Sequence, residues 1–221
     1  MTVAVHVVRV FTDPSGSFGN ELGIVAAGDI AAADRQALAA ELGFSETVFV
    51  EVAAPAARVQ IFTPATELPF AGHPTVGLGW WLRDAGVETL EVPAGSVAVA
   101  HADDLTTVRA KAEWAPEFVF HDLDSPDAVD ALGTAVVGDG EHYFWAWRDE
   151  AAGTLRSRMF APAFGIDEDE ATGAAAVRLT ARLERDLTIT QGRGSQIFTT
   201  WLGDGWVEIG GRTVADRILA I

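Results

Sequence analysis

The sequence predicts an α+β protein of two similar halves, because one strand–turn–helix block occurs in it twice. The first copy is Phe-Thr-Pro-Ala at residues 62–65, followed by a predicted helix over 75–85. The second copy is Phe-Ala-Pro-Ala at 160–163, followed by a predicted helix over 173–183. A block that recurs along a chain indicates duplicated architecture. The two helices are therefore expected to be central in their halves.

Short alternating or apolar runs, separated by Gly, Pro and acidic turns, predict strands along most of the remaining chain. The predicted strands are 3–11, 48–52, 58–62, 88–92, 96–101, 105–110, 117–120, 134–137, 142–148, 154–160, 187–190, 196–201, 206–209 and a last one within 210–221. The close spacing of the strands between 88 and 110 predicts hairpins. These strands are expected to wrap around the helix of the first half.

Three further helices are predicted from capping residues. Asn20 is a good N-cap for a helix over 21–27, and Gly43 ends a helix over 34–42. Ser125 followed by Pro predicts the start of a short helix that continues to Leu132.

The Trp-Ala-Pro sequence at 114–116 breaks the strand pattern and predicts the boundary between the halves. The predicted domains are therefore 1–113 and 114–221.

Composition excludes several classes of function. The chain has 221 residues and a formal net charge of −17, which argues against a nucleic acid or an anionic membrane as partner. Cysteine is absent, which excludes disulfides, thiolate metal ligands and catalytic thiols. The histidines show no metal-ligand spacing, and no apolar run approaches the length of a membrane span. The first residues alternate like a strand rather than a signal peptide, so we expect a cytoplasmic protein.

Glycines precede or open both repeated helices, at Gly72 and Gly173. If the halves face each other, two helix N-termini point into one cleft. Free backbone N–H groups and the positive end of the helix dipole favour an anion there. The sequence therefore predicts a site for a small carboxylate.

Three titratable residues near these helices are candidates for chemistry. Glu46 stands between Phe44 and Val48, so it is either an exposed turn carboxylate or a general acid/base in apolar surroundings. His73 lies between Gly72 and Pro74 and is either structural or a proton carrier. Asp169 belongs to an acidic run that either stabilises the next helix or supplies a second carboxylate to the cleft.

These positions together resemble one family. The motifs are Phe18-Gly-Asn20, Ser45-Glu46, the block from Phe62 to Gly-His-Pro-Thr75, and Glu168-Asp-Glu-Ala-Thr-Gly-Ala174. They look like those of the PhzF-like phenazine-biosynthesis isomerases, which share the diaminopimelate epimerase fold. The resemblance extends from the first strand to about Gly192.

The resemblance implies two pseudo-symmetric domains, each with a curved mixed sheet around a central helix, and an active site between them. The catalytic carboxylate of the family falls on Glu46, its histidine on His73 and its second acid on Asp169. The resemblance implies a substrate site at Asn20, Ser45, Gly72, Thr75, Thr172, Gly173 and Ala174. It implies no metal or organic cofactor, and a homodimer.

This chain departs from the family pattern in three ways. Glu170 replaces the usual Pro and Ala174 replaces the usual Ser, which removes a hydroxyl from the site. The segment after Gln191 lacks the usual Gly-Arg-Pro, and the second half is short. These differences bear on the substrate more than on the fold.

Two functions follow as hypotheses. The first is a cofactor-independent isomerase that shifts a C=C bond of a small cyclic or conjugated carboxylic acid through Glu46, in secondary metabolism. The second is a catalytically inactive metabolite-binding protein of the same fold. The absence of cysteine excludes the two-thiol racemase chemistry of related enzymes.

Overall fold

The computed structural model describes residues 2–133 and 138–221, and it has the predicted α+β architecture. The strands are β1 Ala4–Thr12, β2 Asn20–Ala26, β3 Glu46–Ala53, β4 Ala56–Phe62, β5 Glu67–Leu68, β6 Thr89–Val92, β7 Gly95–Ala102, β8 Leu105–Lys111, β9 Val119–Asp122, β10 His142–Asp149, β11 Thr154–Ala161, β12 Ile166–Asp169, β13 Leu187–Gln191, β14 Ser195–Gly203 and β15 Trp206–Ala220. The helices are α1 Arg35–Leu42, α2 Gly72–Trp81, α3 Pro126–Asp130 and α4 Gly173–Leu183. The strand predicted over 134–137 lies outside the described residues.

Eight strands form a closed ring, seven from the first half of the chain and the C-terminal strand β15. They follow the order β1-β2-β3-β4-β6-β7-β8-β15, and β15 also pairs with β1, so the sheet meets itself. Closure leaves no free strand edge in this ring, which removes a site for edge-to-edge aggregation. The predicted hairpins β6–β7 and β7–β8 are confirmed as antiparallel pairs.

Helix α2 lies inside this ring, and all residues from Gly72 to Gly79 are buried. Glycine lets the helix approach the strands closely. A Cβ at Gly77 would lie 2.5 Å from Val10 Cγ2 and 2.7 Å from Leu22 Cδ2. A helix with side chains on every face could not occupy the ring at this distance.

Strand β1 contributes to two hydrophobic clusters because its side chains alternate between the two faces of the sheet. Val8 and Val10 belong to the cluster around α2, whereas Val5 and Val7 pack outside the ring with Leu38 of α1. Val5 and Val7 are odd-numbered, whereas Val8 and Val10 are even-numbered, so the strand period of two places the pairs on opposite faces. The register shift between Val7 and Val8 leaves the extra residue, Asp216, on β15.

The second half continues from β15 through β14, β13, β11, β10 and β9. Helix α4 packs against β14 and β15, and its buried residues include Ala175, Ala176 and Leu179. Strand β15 pairs with β8 over residues 206–211 and with β14 over 206–210, and its later part, 212–220, pairs with β1. The C-terminal strand thus connects the predicted halves, and the boundary at 113/114 stays a prediction.

The predicted helix over 21–27 is wrong, and Asn20 is not an N-cap. The segment is strand β2, which pairs with β1 on one side and in parallel with β3 on the other. Leu22, Ile24 and Val25 are fully buried there. Pairing with two distant strands outweighs the local capping preference of Asn.

Other differences concern boundaries. Helix α2 begins at Gly72 and ends at Trp81, rather than spanning 75–85. The acidic run that contains Asp169 contributes to strand β12, which the sequence did not predict, and the two strands predicted after residue 206 are the single strand β15. The predictions of Gly43 as the left-handed end of α1 and of Ser125 as the cap of α3 are confirmed, although α3 ends at Asp130.

We predict that Gly77→Ala lowers the free energy of unfolding by about 1–3 kcal/mol, because its methyl group overpacks the ring. In a solvent-exposed helix the same change would stabilise by about 1 kcal/mol. Chemical denaturation followed by circular dichroism measures the difference. Gly28→Ala is the matched control, since its Cβ would meet nothing within 4 Å. Equal stabilities of the two variants would contradict this account of the packing.

Candidate active site

The N-termini of α2 and α4 touch at Gly72 and Gly173. A Cβ at Gly173 would lie 2.7 Å from the backbone nitrogen of His73, and one at Gly72 would lie 3.1 Å from the Gly173 carbonyl carbon. Only glycine permits this approach of two backbones. The positive ends of two helix dipoles therefore meet at one place, as the sequence predicts.

Glu46 and His73 form a hydrogen-bonded pair beside these helix starts. Glu46 is the first residue of β3, and its Oε2 lies 2.9 Å from His73 Nδ1. Their side chains are 18% and 4% exposed. Among the described residues, His73 Nε2 is buried without a hydrogen-bond partner. A carboxylate supported by an imidazole, with the other ring nitrogen free for a ligand, can carry a proton.

Asp169 approaches the same place from the second half, at the end of β12. Its Oδ1 accepts a hydrogen bond of 2.6 Å from Asn20 Nδ2, and its Oδ2 accepts one of 2.5 Å from Thr172 Oγ1. Asn20 Nδ2 also donates to the Ala171 carbonyl at 3.3 Å. The Asn20–Asp169 contact therefore joins β2 of the first half to the start of α4.

Burial raises the pKa of the Asp169 carboxyl above its ordinary value of 3.8. The Glu46 carboxylate raises this pKa further, since two negative charges in one site repel each other. The hydrogen bonds from Thr172 and Asn20 and the charge of His73 act in the opposite direction. The site therefore favours a proton on Asp169 more than water does.

The space between these groups is termed the inner cavity. Eight of the predicted site residues line it, namely Asn20, Glu46, Gly72, His73, Asp169, Thr172, Gly173 and Ala174. Ala71 and Ala171 complete its wall. Its volume is about 30 Å³, roughly the share of one water molecule in the liquid.

Two predicted substrate residues do not line the inner cavity. The Thr75 hydroxyl is buried within α2 and donates to the Ala71 and Gly72 carbonyls at 2.9 and 3.0 Å. The Ser45 hydroxyl donates to Asn20 Oδ1 at 3.3 Å. Ser45 therefore contacts Asn20 rather than the inner cavity, and the Thr75 hydroxyl bonds to the backbone at the start of its own helix.

Sequence reasoning missed Gln191, the fully buried last residue of β13. Its amide donates to Thr172 Oγ1 at 2.8 Å and to the Asp169 carbonyl at 3.0 Å, and its carbonyl accepts from the Thr172 backbone at 3.1 Å. The buried Tyr143 donates to Ser157 Oγ at 2.8 Å and lies 3.3 Å from Gln191 Oε1. These groups hold the segment that carries Asp169.

Glu141 is a second residue that the sequence did not single out. Burial raises the pKa of its carboxyl above the ordinary 4.5, and the charges of Asp169 and Glu46 raise it further. Nothing in its sequence surroundings distinguishes it from the other surface acids of this acidic chain.

Within residues 2–133 and 138–221, no group of three or more His, Asp or Glu side chains is arranged to hold a metal ion. No helix in these same ranges has the length and apolarity to cross a membrane.

Comparison with solved structures places this architecture among known folds. A PhzF-family phenazine biosynthesis protein from Enterococcus faecalis superposes with a TM-score of 0.80 at 19% identity, over 100% of this chain and 99% of its own. A hydroxyproline epimerase from Agrobacterium vitis superposes with a TM-score of 0.66 at 13% identity, over 100% and 92%. At these identities the likeness establishes the fold alone, and it confirms the epimerase-like fold.

Sequence relatives of higher identity also bear on the family of this chain. The trans-2,3-dihydro-3-hydroxyanthranilate isomerase of Pseudomonas aeruginosa is 30% identical over 224 residues, covering 76% of this chain and 75% of its own. The isomerase of the same name from Pseudomonas fluorescens is 33% identical over 211 residues, covering 77% and 76%. A sequence model described as phenazine biosynthesis-like protein matches residues 8–148 and 120–200. The resemblance seen in the motifs is therefore confirmed, and the chain belongs to the PhzF family of phenazine biosynthesis-like proteins.

Proposed function

We propose that this protein is a cofactor-independent isomerase that shifts a C=C bond in a small cyclic or conjugated carboxylic acid by proton transfer through a carboxylate. The observation that carries the proposal is the Glu46–His73 pair, which faces Asp169 where two helices begin. The names of the sequence relatives, which are isomerases of a hydroxylated cyclic amino acid, support it.

In the proposed reaction, Glu46 removes a proton from a carbon adjacent to the conjugated system. The C–H electron pair becomes a new C=C bond. This bond lies one position along the carbon skeleton of the substrate from the original double bond. Glu46 then returns its proton to the far carbon, so that no atom or electron is gained or lost. In this mechanism His73 Nδ1 carries the proton of the 2.9 Å contact, so that it donates to the ionised Glu46 carboxylate and stabilises it before and after transfer.

The two helix starts are the proposed site for the substrate carboxylate. Backbone N–H groups at Gly72 and Gly173 carry partial positive charge that does not reorganise during the reaction. A protonated Asp169 would add a donor, whereas an ionised one would repel the substrate. Burial and the Glu46 carboxylate raise the pKa of Asp169, which shifts it toward the protonated form relative to a carboxyl in water.

Substrate binding has to widen the inner cavity, because a volume of about 30 Å³ holds no six-membered ring. The hydrogen bonds of Asn20 to Asp169 and to Ala171 join residues that line the cavity, and we expect them to break when it widens. The cytoplasmic location, the homodimer and the place in secondary metabolism stay predictions.

We predict that Glu46→Gln abolishes isomerisation and lowers the rate of proton exchange by at least about 10²-fold, the usual contribution of a general base. The measurement is proton NMR in D₂O with small unsaturated carboxylates, including a dihydro-hydroxyanthranilate. Wild type should introduce deuterium at a ring or allylic carbon. Glu51→Gln, on the exposed part of the same strand, is the control and should retain exchange.

Folding of the Glu46 variant is checked by its melting temperature, so that loss of exchange is not loss of structure. Equal exchange in wild type and Glu46→Gln would overturn the assignment of the base. Binding by both proteins with exchange in neither would support the ligand-binding function instead.

We predict that Asp169→Asn gains stability relative to wild type as the pH rises. Since the folded pKa of Asp169 lies above its unfolded value, ionising this carboxyl costs more in the folded protein than in the unfolded chain. The wild type therefore loses stability as pH rises through the folded pKa, while Asn does not titrate. Melting temperatures from pH 4 to pH 8 measure the difference. A difference that stays constant or falls with pH would contradict the shift.

A further inference from the structure

A larger pocket of about 590 Å³ lies next to the inner cavity and is termed the outer pocket. Its walls come from both halves of the chain and include Arg9, Phe18, Asn20 and Ser45 from the first and Glu170 and Arg193 from the second. Its volume far exceeds that of the inner cavity, so a ligand held there can be larger than the reacting group.

The outer pocket and the inner cavity adjoin at Asn20. This residue lines both spaces, and its side chain bonds Asp169 on one side and Ser45 on the other. Two further wall residues of the outer pocket are chain neighbours of the proposed acids: Ser45 precedes Glu46, and Glu170 follows Asp169. A substrate that displaces the Asn20 side chain would therefore extend from one space into the other.

The acids of the outer pocket already have partners within the fold. Glu170 accepts from Arg193 Nε at 3.0 Å, from the Arg193 backbone at 3.1 Å and from Ser195 Oγ at 2.9 Å. Glu21 accepts from Arg217 at 2.7 and 3.2 Å. Their negative charges are balanced before any ligand arrives.

Arg9 is engaged less completely than these acids. Its Nη1 donates to the Phe18 carbonyl at 3.3 Å, and its Nε is buried without a hydrogen-bond partner among the described residues. The Asp216 carboxylate forms a long ion pair of 3.9 Å with that Nε, without a hydrogen bond, and it is also bound by Arg217. The buried Nε faces the protein, whereas the Arg9 side chain is 33% exposed and lines the outer pocket. Its Nη2 makes no hydrogen bond among the described residues. A guanidinium with a free terminal nitrogen beside a pocket is suited to an anionic oxygen.

We propose that the outer pocket is a distal substrate site in which Arg9 binds a second anionic group, a carboxylate or a phosphate, on an extension of the ring acid. The inference rests on the proposed function, since it takes the inner cavity to hold the reacting end of the same molecule. The preference for a ligand with a second anionic group is assigned to Arg9 rather than Arg193, because Arg193 is exposed and hydrogen-bonded to Glu170.

Binding of non-reacting probes tests the site without depending on turnover. Calorimetry compares benzoate, which has one acidic group, with isophthalate and 3-phosphonobenzoate, which carry a second group as carboxylate or phosphonate. Wild type should bind at least one of the two diacids about tenfold tighter than benzoate or more. The stronger of the two diacids identifies the preferred group.

The decisive variant is Arg9→Gln, which should reduce the preference for the diacid by about tenfold. Arg83→Gln changes the net charge equally at an exposed residue outside the outer pocket and should keep the wild-type preference. Arg193→Gln should have a smaller effect than Arg9→Gln. A folded Arg9→Gln protein with an unchanged preference, or a wild type without one, would overturn the inference.

A second measurement serves if Arg9→Gln does not fold. In ¹⁵N-labelled wild type, the Arg9 Nε–Hε signal is identified as the one that Arg9→Lys lacks. It should move on titration with the preferred diacid and stay in place with benzoate, and a signal unmoved by both diacids refutes the site. Deuterium uptake without diacid preference would leave the isomerase standing and remove only the distal site. Preference for a diacid without deuterium uptake would support the distal site and contradict the isomerase.

Discussion

The contact between the Gly72 and Gly173 backbones sets the geometry of the whole site. Because no side chain separates the two backbones, helices α2 and α4, which pack mainly against different strands, begin next to each other. Glu46 lies at the start of β3 and Asp169 at the end of β12, next to these helix starts. A single added methyl group at either glycine would separate the two backbones, and with them the two carboxylates.

Charge at this point is balanced between opposing effects. The helix N-termini favour negative charge, while burial and the proximity of Glu46 disfavour it on Asp169. Gln191 holds the backbone on both sides of the Asp169 segment, and Tyr143 and Ser157 lie behind it. Such a fully bonded buried network keeps the carboxyl in place whichever protonation state it adopts.

Local patterns were sufficient where the structure is determined locally. Gly43 ends α1 in the left-handed conformation, and Ser125 caps α3, because both depend only on neighbouring backbone. The role of Gln191 could not be predicted in this way. Its partners are 19 and 22 residues away in the chain, and a Gln at the end of an apolar strand carries no sign of what it will bond. The closed ring likewise depends on the pairing of β1 with β15, the first and last strands.

The incorrect helix at 21–27 and the position of Asn20 in the site have the same cause. As an N-cap, the Asn20 side chain would accept a hydrogen bond from the backbone N–H two or three residues ahead. As the first residue of a strand, it projects its amide away from its own backbone. The amide is then free to bond Asp169 across the two halves, 149 residues away in the chain. The long-range strand pairing that overrides the local preference is therefore what makes Asn20 available to the site.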